Sequence, residues 1–515
     1  MPRGQIAAGH EKTAEAAELI LKEGGNAFDA VVAAAFASCV AEPVFSSLGG
    51  GGFLMASHEG RSPRLFDFFV HTPLQVPDPE LLEFYPIQAD FGSQSQEFHI
   101  GLGSVATPGM VRGLFEINRQ LGSMPMQELI APAVQYCRDG IALNAFQQYL
   151  FEVIGPIYRS TGSARRIFCR DSNGSDLVRA GDVLTMPEFG QTLDALAEEG
   201  DDLFYRGEIA HRIATQCEAE GGTLRIEDMS GYRVVPRDPV ITGYRGVRIA
   251  GNPPPSCGGI LIAFALSLLE AQRDRVETTD DLVYLADVMA MTNKARADQF
   301  AMNADCHAGS RGLLDPDLLQ RYRNEINGNP EALRGTTHIS VIDDHGNAAS
   351  MSLSNGEGCG HVVPGTGIML NNMLGEEDLN PAGFHSWPAD RRMTSMMSPS
   401  LVTLSNGALL ALGSGGSNRI RTAVLQVLRN VIGHDMPLDE AVNAPRIHFE
   451  RGLLNIEGGF SDRVINGLLE RFPACHVWED RNLFFGGVHA VSYHPASGFD
   501  GAGDARRSGV TIAVH

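Results

Sequence analysis

Gly335, Thr336 and Thr337 stand directly before a run that alternates like a strand. Threonine is a poor nucleophile unless a base lies beside it, and its own α-amine can be that base when the residue begins a chain. Thr336 would qualify only if the Gly335–Thr336 bond broke. A glycine before that bond leaves its carbonyl unhindered, and a strand after it would fix the hydroxyl. Most threonines are plain strand or surface residues, so the pair carries weight only in combination. The run itself predicts a hairpin. Thr337, Ile339 and Val341 alternate with His338 and Ser340, Asp343 to Gly346 is a turn signal, and Ala348 to Ser354 reads as the returning strand.

Other residue types point away from other chemistries. Glycine runs at Gly49–Gly52 and Gly413–Gly416 could cradle phosphate through backbone N–H groups. No Gly-Lys dipeptide occurs, which excludes a Walker A loop, and close backbone packing is the plainer reading. The eight cysteines are scattered without a C-x-x-C pair and read as isolated thiols. His338, His345 and His361 lack a carboxylate–histidine motif and read as structural or solvent-facing rather than metal-binding. Lysine occurs only at 12, 22 and 294, leaving few candidates for Schiff-base chemistry. No cofactor and no metal are expected. A formal net charge of −22 over 515 residues argues against a nucleic-acid partner.

The elements around these residues are mixed. Thr13 to Lys22 reads as an amphipathic helix with Ala17, Leu19, Ile20 and Leu21 on or near one face, stopped by Gly24-Gly25. Asn26 with Asp29 resembles a capping box opening a small-residue helix through Ala41. Two further helices are expected within 103–122 and 126–140, strands across 223–251, a helix after Cys257, strands through 394–417 and a helix from Ile420 to Ile432. No linker or repeat divides the chain, so one compact unit of strands and helices is expected. Charged residues interrupt the first 25 positions, and the apolar segment Ala30 to Ala41 is far short of the ~20 residues of a span. A cytoplasmic protein with no membrane contact is expected, with self-association left open.

The segment "TTHISVIDDHGNA" resembles the autocleavage point of the gamma-glutamyltranspeptidases, which are N-terminal-nucleophile hydrolases. The likeness runs through "AAGHEKTAEAAELILKEGGNAFDAVVAAAFASCVAEPVFSSLGGGGF" at the start. It continues in "ATPGMVRGLFEINRQLGSMPMQELIAPAV", "GTGIMLNNM", "SMMSPSLV", "GSGGSNRI" and "APRIHFE". It implies an α+β fold, a four-layer αββα sandwich (the N-terminal-nucleophile hydrolase fold) formed by two chains from one precursor. These would be 1–335 and 336–515, intertwined as one globular unit. It also implies a self-processing gamma-glutamyltransferase or glutathione hydrolase-like enzyme. A small-molecule amide would acylate Thr336, and water or an amine acceptor would release the acyl group.

By the same resemblance, Gly335 and Thr336 flank the scissile bond and Thr336 is the nucleophile. Gly415 and Gly416 supply the oxyanion hole, and Ser354 supports the threonine hydroxyl. Ser395, Glu376, Glu377 and the out-of-register Asn355 fall at substrate-binding positions, with Asp378 beside them. One departure is pronounced: Phe69, in "FDFFVHTP", occupies the place of an arginine that clamps the glutamyl carboxylate. Arg391 or Arg392 could approach from another side. Two alternatives follow: an amidohydrolase or acylase of this family acting on a non-gamma-glutamyl amide such as oxamate, and a catalytically silent scaffold.

Overall fold

The computed structural model describes residues 2–59, 61–76, 78–90, 95–171, 173–270, 278–302, 313–314, 336–380 and 383–515. Gly335 lies outside them, so the expected scission point is seen from its Thr336 side.

The expected hairpin is present. Thr337–Asp343 and Ala348–Ser354 pair antiparallel, with Thr337 opposite Leu353 and Ile342 opposite Ala348. Asp343 closes the turn, its Oδ1 accepting from the backbone N–H groups of His345 and Asn347 and its Oδ2 from the Asn347 amide. Such Asx bonding reverses the chain locally, and Asp343 Oδ2 also accepts from the Ala27 N–H at 2.9 Å.

The hairpin lies within a seven-stranded sheet ordered 510–514, 4–8, 337–343, 348–354, 51–57, 64–68 and 235–237. Every neighbouring pair is antiparallel. Gly4–Ala8 therefore runs between two strands that both come from beyond Gly335. A six-stranded antiparallel sheet, ordered 498–502, 487–494, 409–415, 400–403, 247–251 and 240–244, forms the second layer.

Helices cover the outer faces and complete the αββα layering. Glu11–Lys22 and Ala27–Ala41 lie on the first sheet, and Gly258–Leu269 and Arg419–Leu428 on the second. Ala27–Ala41 is buried along its whole length, which its small residues permit. Its start is the expected capping box: Asn26 Oδ1 accepts from the N–H groups of Phe28 and Asp29, and Asp29 accepts from that of Asn26.

Between the sheets runs a polar seam. His338 bonds Ser352 Oγ at 2.8 Å and Ser340 Oγ at 3.0 Å. Its ring fills the space left by Gly413, where a Cβ would stand 2.3 Å from it. Ser340 donates across to the His489 carbonyl, and Ser350 to that of Leu412. Burial pushes His338 well below the ordinary histidine value and His489 down to about 4.

Two local expectations change. Leu19 is 44% exposed, so the inner face of its helix is Ala17, Ile20 and Leu21. Within the stretch expected as strands, Ile226–Gly231 is helical, because the Asp228 carboxylate caps the Arg225 N–H and holds the Leu74 N–H as well. The strands begin at Val235.

Candidate active site

Thr336 precedes one strand of the hairpin and Ser354 ends the other, so the register brings them to the same end. Both line one cavity of about 30 Å³, which is room for a water. Ser395, Glu376 and Phe69 line it too. Ser354 Oγ accepts from the Gly356 N–H at 3.1 Å. Gly356 is bare where a Cβ would meet Asn372 Oδ1 and Glu376 Oε1, so the strand end and the Glu376 loop close on each other. Asn380 fastens that loop by donating to the carbonyls of Met373, Leu374 and Glu376. Ser395 is held through its carbonyl, which accepts from the Cys257 N–H and Ser256 Oγ, and its hydroxyl accepts from the Met397 N–H.

Gly415 ends its strand against the threonine. A Cβ there would stand 1.9 Å from the Thr336 carbonyl oxygen, so only glycine permits the approach. Gly416 follows at φ 119°, in the region glycine favours.

The remaining expected residues lie elsewhere. Glu377 faces outward, its side chain 65% exposed and 4.0 Å from Arg451. A short helical turn, Glu377–Leu379, separates its direction from that of Glu376. Asp378 accepts from Ser417 Oγ, a residue of the cavity wall. Asn355 is buried but outside the cavity lining, packed beside Gly50 and Gly358.

The arginine question also has a geometric answer. Arg392 is buried and turned away, donating to the carbonyls of Phe69 and Arg233 and to Tyr232 Oη, with Asp67 beside it. Arg391 is exposed. Among the described residues no lysine or arginine lines the cavity, whose wall includes Phe69, Met373, Met396 and Met397. Phe69 is itself stacked on Phe53, ring centroids 5.4 Å apart.

Two neighbours of the threonine pair escaped the sequence reading. Thr337 Oγ1 donates to buried Glu42 at 2.7 Å, and Thr13 Oγ1 donates to the other oxygen of that carboxylate. Arg507, near the chain end, donates from Nη1 to the Thr336 carbonyl at 3.1 Å. Burial pulls its guanidinium down to about 10, opposed by Asp504 and Glu42 and reinforced by Arg446. No local motif marks it, since only the fold brings it there.

Comparison with known proteins identifies the class. The gamma-glutamyltranspeptidase family model matches residues 13–514, and the chain belongs to that family. It is an enzyme of the hydrolase/transferase type with an N-terminal nucleophile. The chain is 30% identical to the glutathione hydrolase proenzyme of Escherichia coli (strain K12), over 95% of this chain and 87% of that one. It is 28% identical to the acylase ACY 1 proenzyme of Pseudomonas sp. (strain SE83), over 99% and 94%. The crystal structure of a cephalosporin acylase from Bacillus halodurans superposes with a TM-score of 0.85 at 24% identity, covering 100% of this chain and 96% of that one, which bears on the fold.

Proposed function

We propose that the chain cuts itself between Gly335 and Thr336, leaving pieces 1–335 and 336–515 together, and that Thr336 then cleaves amides through an acyl-enzyme. The observation that carries this is the meeting of Thr336 with Ser354 in one cavity, with the Gly415 backbone against the threonine. In turnover the Thr336 hydroxyl oxygen attacks the substrate carbonyl carbon, and its proton passes to the freed α-amine, whose ordinary value of about 7.7–8.0 suits a base near neutrality. The N–H groups of Gly415 and Gly416 hold the oxygen that gains charge. The C–N bond breaks, the leaving amine takes the proton, and water or an amine acceptor then releases the acyl group. Ser354 orients the attacking hydroxyl. These steps draw only on groups of the chain, the amide substrate and the water or amine acceptor.

For the acyl group, the names of the relatives suggest glutathione or another acyl amide. Glu376 in the cavity suits an ammonium, as in a gamma-glutamyl group. A second reading is favoured by Phe69 and the methionine wall: an acylase preferring an acyl group without a carboxylate at that end. Release of p-nitroaniline from gamma-glutamyl-p-nitroanilide, beside glutathione and acyl anilides lacking the carboxylate, separates the two. Turnover of none of them by processed enzyme would remove the amide-cleaving reading.

A reducing compartment such as the cytoplasm belongs to the same proposal, supported by seven unpaired cysteines among the described residues. No described helix is long and apolar enough to cross a membrane.

A further inference from the structure

Arg507 is an anomaly that the mechanism above leaves unused. It is 4% exposed, yet among the described residues its guanidinium makes one hydrogen bond, to the Thr336 carbonyl, and no ion pair. Its Nε is buried without a partner. The group is nonetheless carefully seated. Its carbon chain crosses Gly487, where a Cβ would stand 2.3 Å from Cδ, and its nitrogens would lie 3.0 and 3.1 Å from Cβ atoms at Gly415 and Gly416. The Phe45 ring closes the other side, 5.2 Å from Cζ. A buried cation without a carboxylate in contact is costly, and the close passage of its carbon chain over bare Gly487 shows a place built for it.

We propose that Arg507 is a positioning residue that keeps the freed α-amine of Thr336 in its neutral, proton-accepting form by holding a positive charge, with no carboxylate in direct contact among the described residues, on the carbonyl of that same residue. The inference rests on Thr336 becoming a chain start. A like charge within about 4–6 Å disfavours the ammonium form and can move its titration by roughly one unit or more. Other charged groups face the threonine. Glu376 lies across the cavity, Asp378 stands behind Ser417, and Glu42, with His10 near it, lies behind Thr337. Asp504 and Arg446 act on Arg507 itself. The carboxylates favour the ammonium. Glu42 is engaged by the hydroxyls of Thr13 and Thr337, and Asp378 by that of Ser417, whereas Arg507 bonds the threonine directly. Burial of Thr336 acts in the same direction as the arginine. Glu376 opposes them from the same cavity, and on this proposal the balance is a neutral amine at physiological pH.

The sequence offers a clean readout. Residues 336–515 contain no lysine, so the α-amine of Thr336 is the only amine of the small fragment. Processed enzyme is treated with limiting acetic anhydride from about pH 5 to about 9, spanning the ordinary α-amine value of about 7.7–8.0. Acetyl esters are then removed with hydroxylamine, and the fragment mass is read. The natural enzyme should show a midpoint below that ordinary value. Arg507→Met should raise it by roughly one unit or more, a roughly tenfold smaller neutral fraction on the acid side, and Arg507→Lys, which adds an ε-amine and is therefore read on the peptide that begins at Thr336, should keep it low. A natural midpoint at or above the ordinary value, or one unmoved by Arg507→Met, overturns the proposal. Where Arg507→Met does not fold, the natural midpoint decides, with Arg507→Lys as its check. Failure of the underlying reading looks different: no fragment beginning at Thr336 forms.

Discussion

Thr337 Oγ1 donates to Glu42 Oε2 at 2.7 Å, while Thr336, one residue earlier, lines the cavity. Twin threonines therefore have separate duties. The second is tethered to a buried carboxylate that also receives Thr13, and it fixes the strand start from which the first projects. Alternation along a strand sends neighbours to opposite faces, so the two hydroxyls do not compete.

Substitution at the two threonines should separate these duties. Thr336→Ala should remain a single chain by intact mass. Thr337→Val should still yield fragments of roughly 36 and 19 kDa, scaled by length from 55.4 kDa, with stability lowered by about 1–3 kcal/mol for the donor withdrawn from Glu42. A fully active uncut Thr336→Ala enzyme would refute the nucleophile assignment.

At the glycine pair, Gly415→Ala places a methyl where the Thr336 carbonyl oxygen already stands, 1.9 Å from the new atom. Turnover should fall by ~10²–10³, the typical loss of an oxyanion donor. Gly416→Val, at φ 119°, should act similarly by tilting its N–H. Near-normal turnover in both would dismiss the oxyanion role.

Glutathione should be a weak substrate, because nothing cationic lines the cavity among the described residues. Charge-assisted bonds are typically worth ~1.5–3 kcal/mol, and about 1.4 kcal/mol is a decade. Phe69→Arg should then raise kcat/KM for glutathione by about tenfold relative to acyl anilides. Comparable gains on both substrates, or a high natural value that falls in the variant, would show that recognition does not pass through position 69.

Acid should loosen the join between the sheets. His338 and His489 are held neutral by burial, below their unfolded value of about 6.5. Between that value and about 4 for His489, the unfolded chain binds more protons. Stability is therefore full above about 6.5 and declines as pH falls toward 4. Urea midpoints at several pH values in this window check it, and His489→Asn should flatten the slope. A midpoint that rises on acidification would contradict the sign.

Much of this arrangement was legible in the sequence because it is local. The 337–354 hairpin follows from alternation and an Asx turn, and the Asn26–Asp29 cap from residues three apart. Ile226–Gly231 misled because its helical turn is closed by Asp228, whose second oxygen serves Leu74 far away in sequence. Glu376 and Glu377 were indistinguishable until a short helical turn set their directions. Arg507 could not be found at all: it is 171 positions from Thr336, and its meaning lies in what surrounds it.

The strand Gly4–Ala8, gripped between 337–343 and 510–514, would make the proposed chain scission a one-way event. Before the cut, these strands belong to one molecule and their encounter is unimolecular. After the proposed cut the large piece would thread the strand Gly4–Ala8 between two strands of the small one, and the pair would be a heterodimer that neither piece could leave without opening the sheet. Recovery from denaturant should then depend on protein concentration for the cut enzyme and not for an uncut Thr336→Ala chain. On this proposal, the bond lost to create the nucleophile is also the one that makes renaturation independent of dilution.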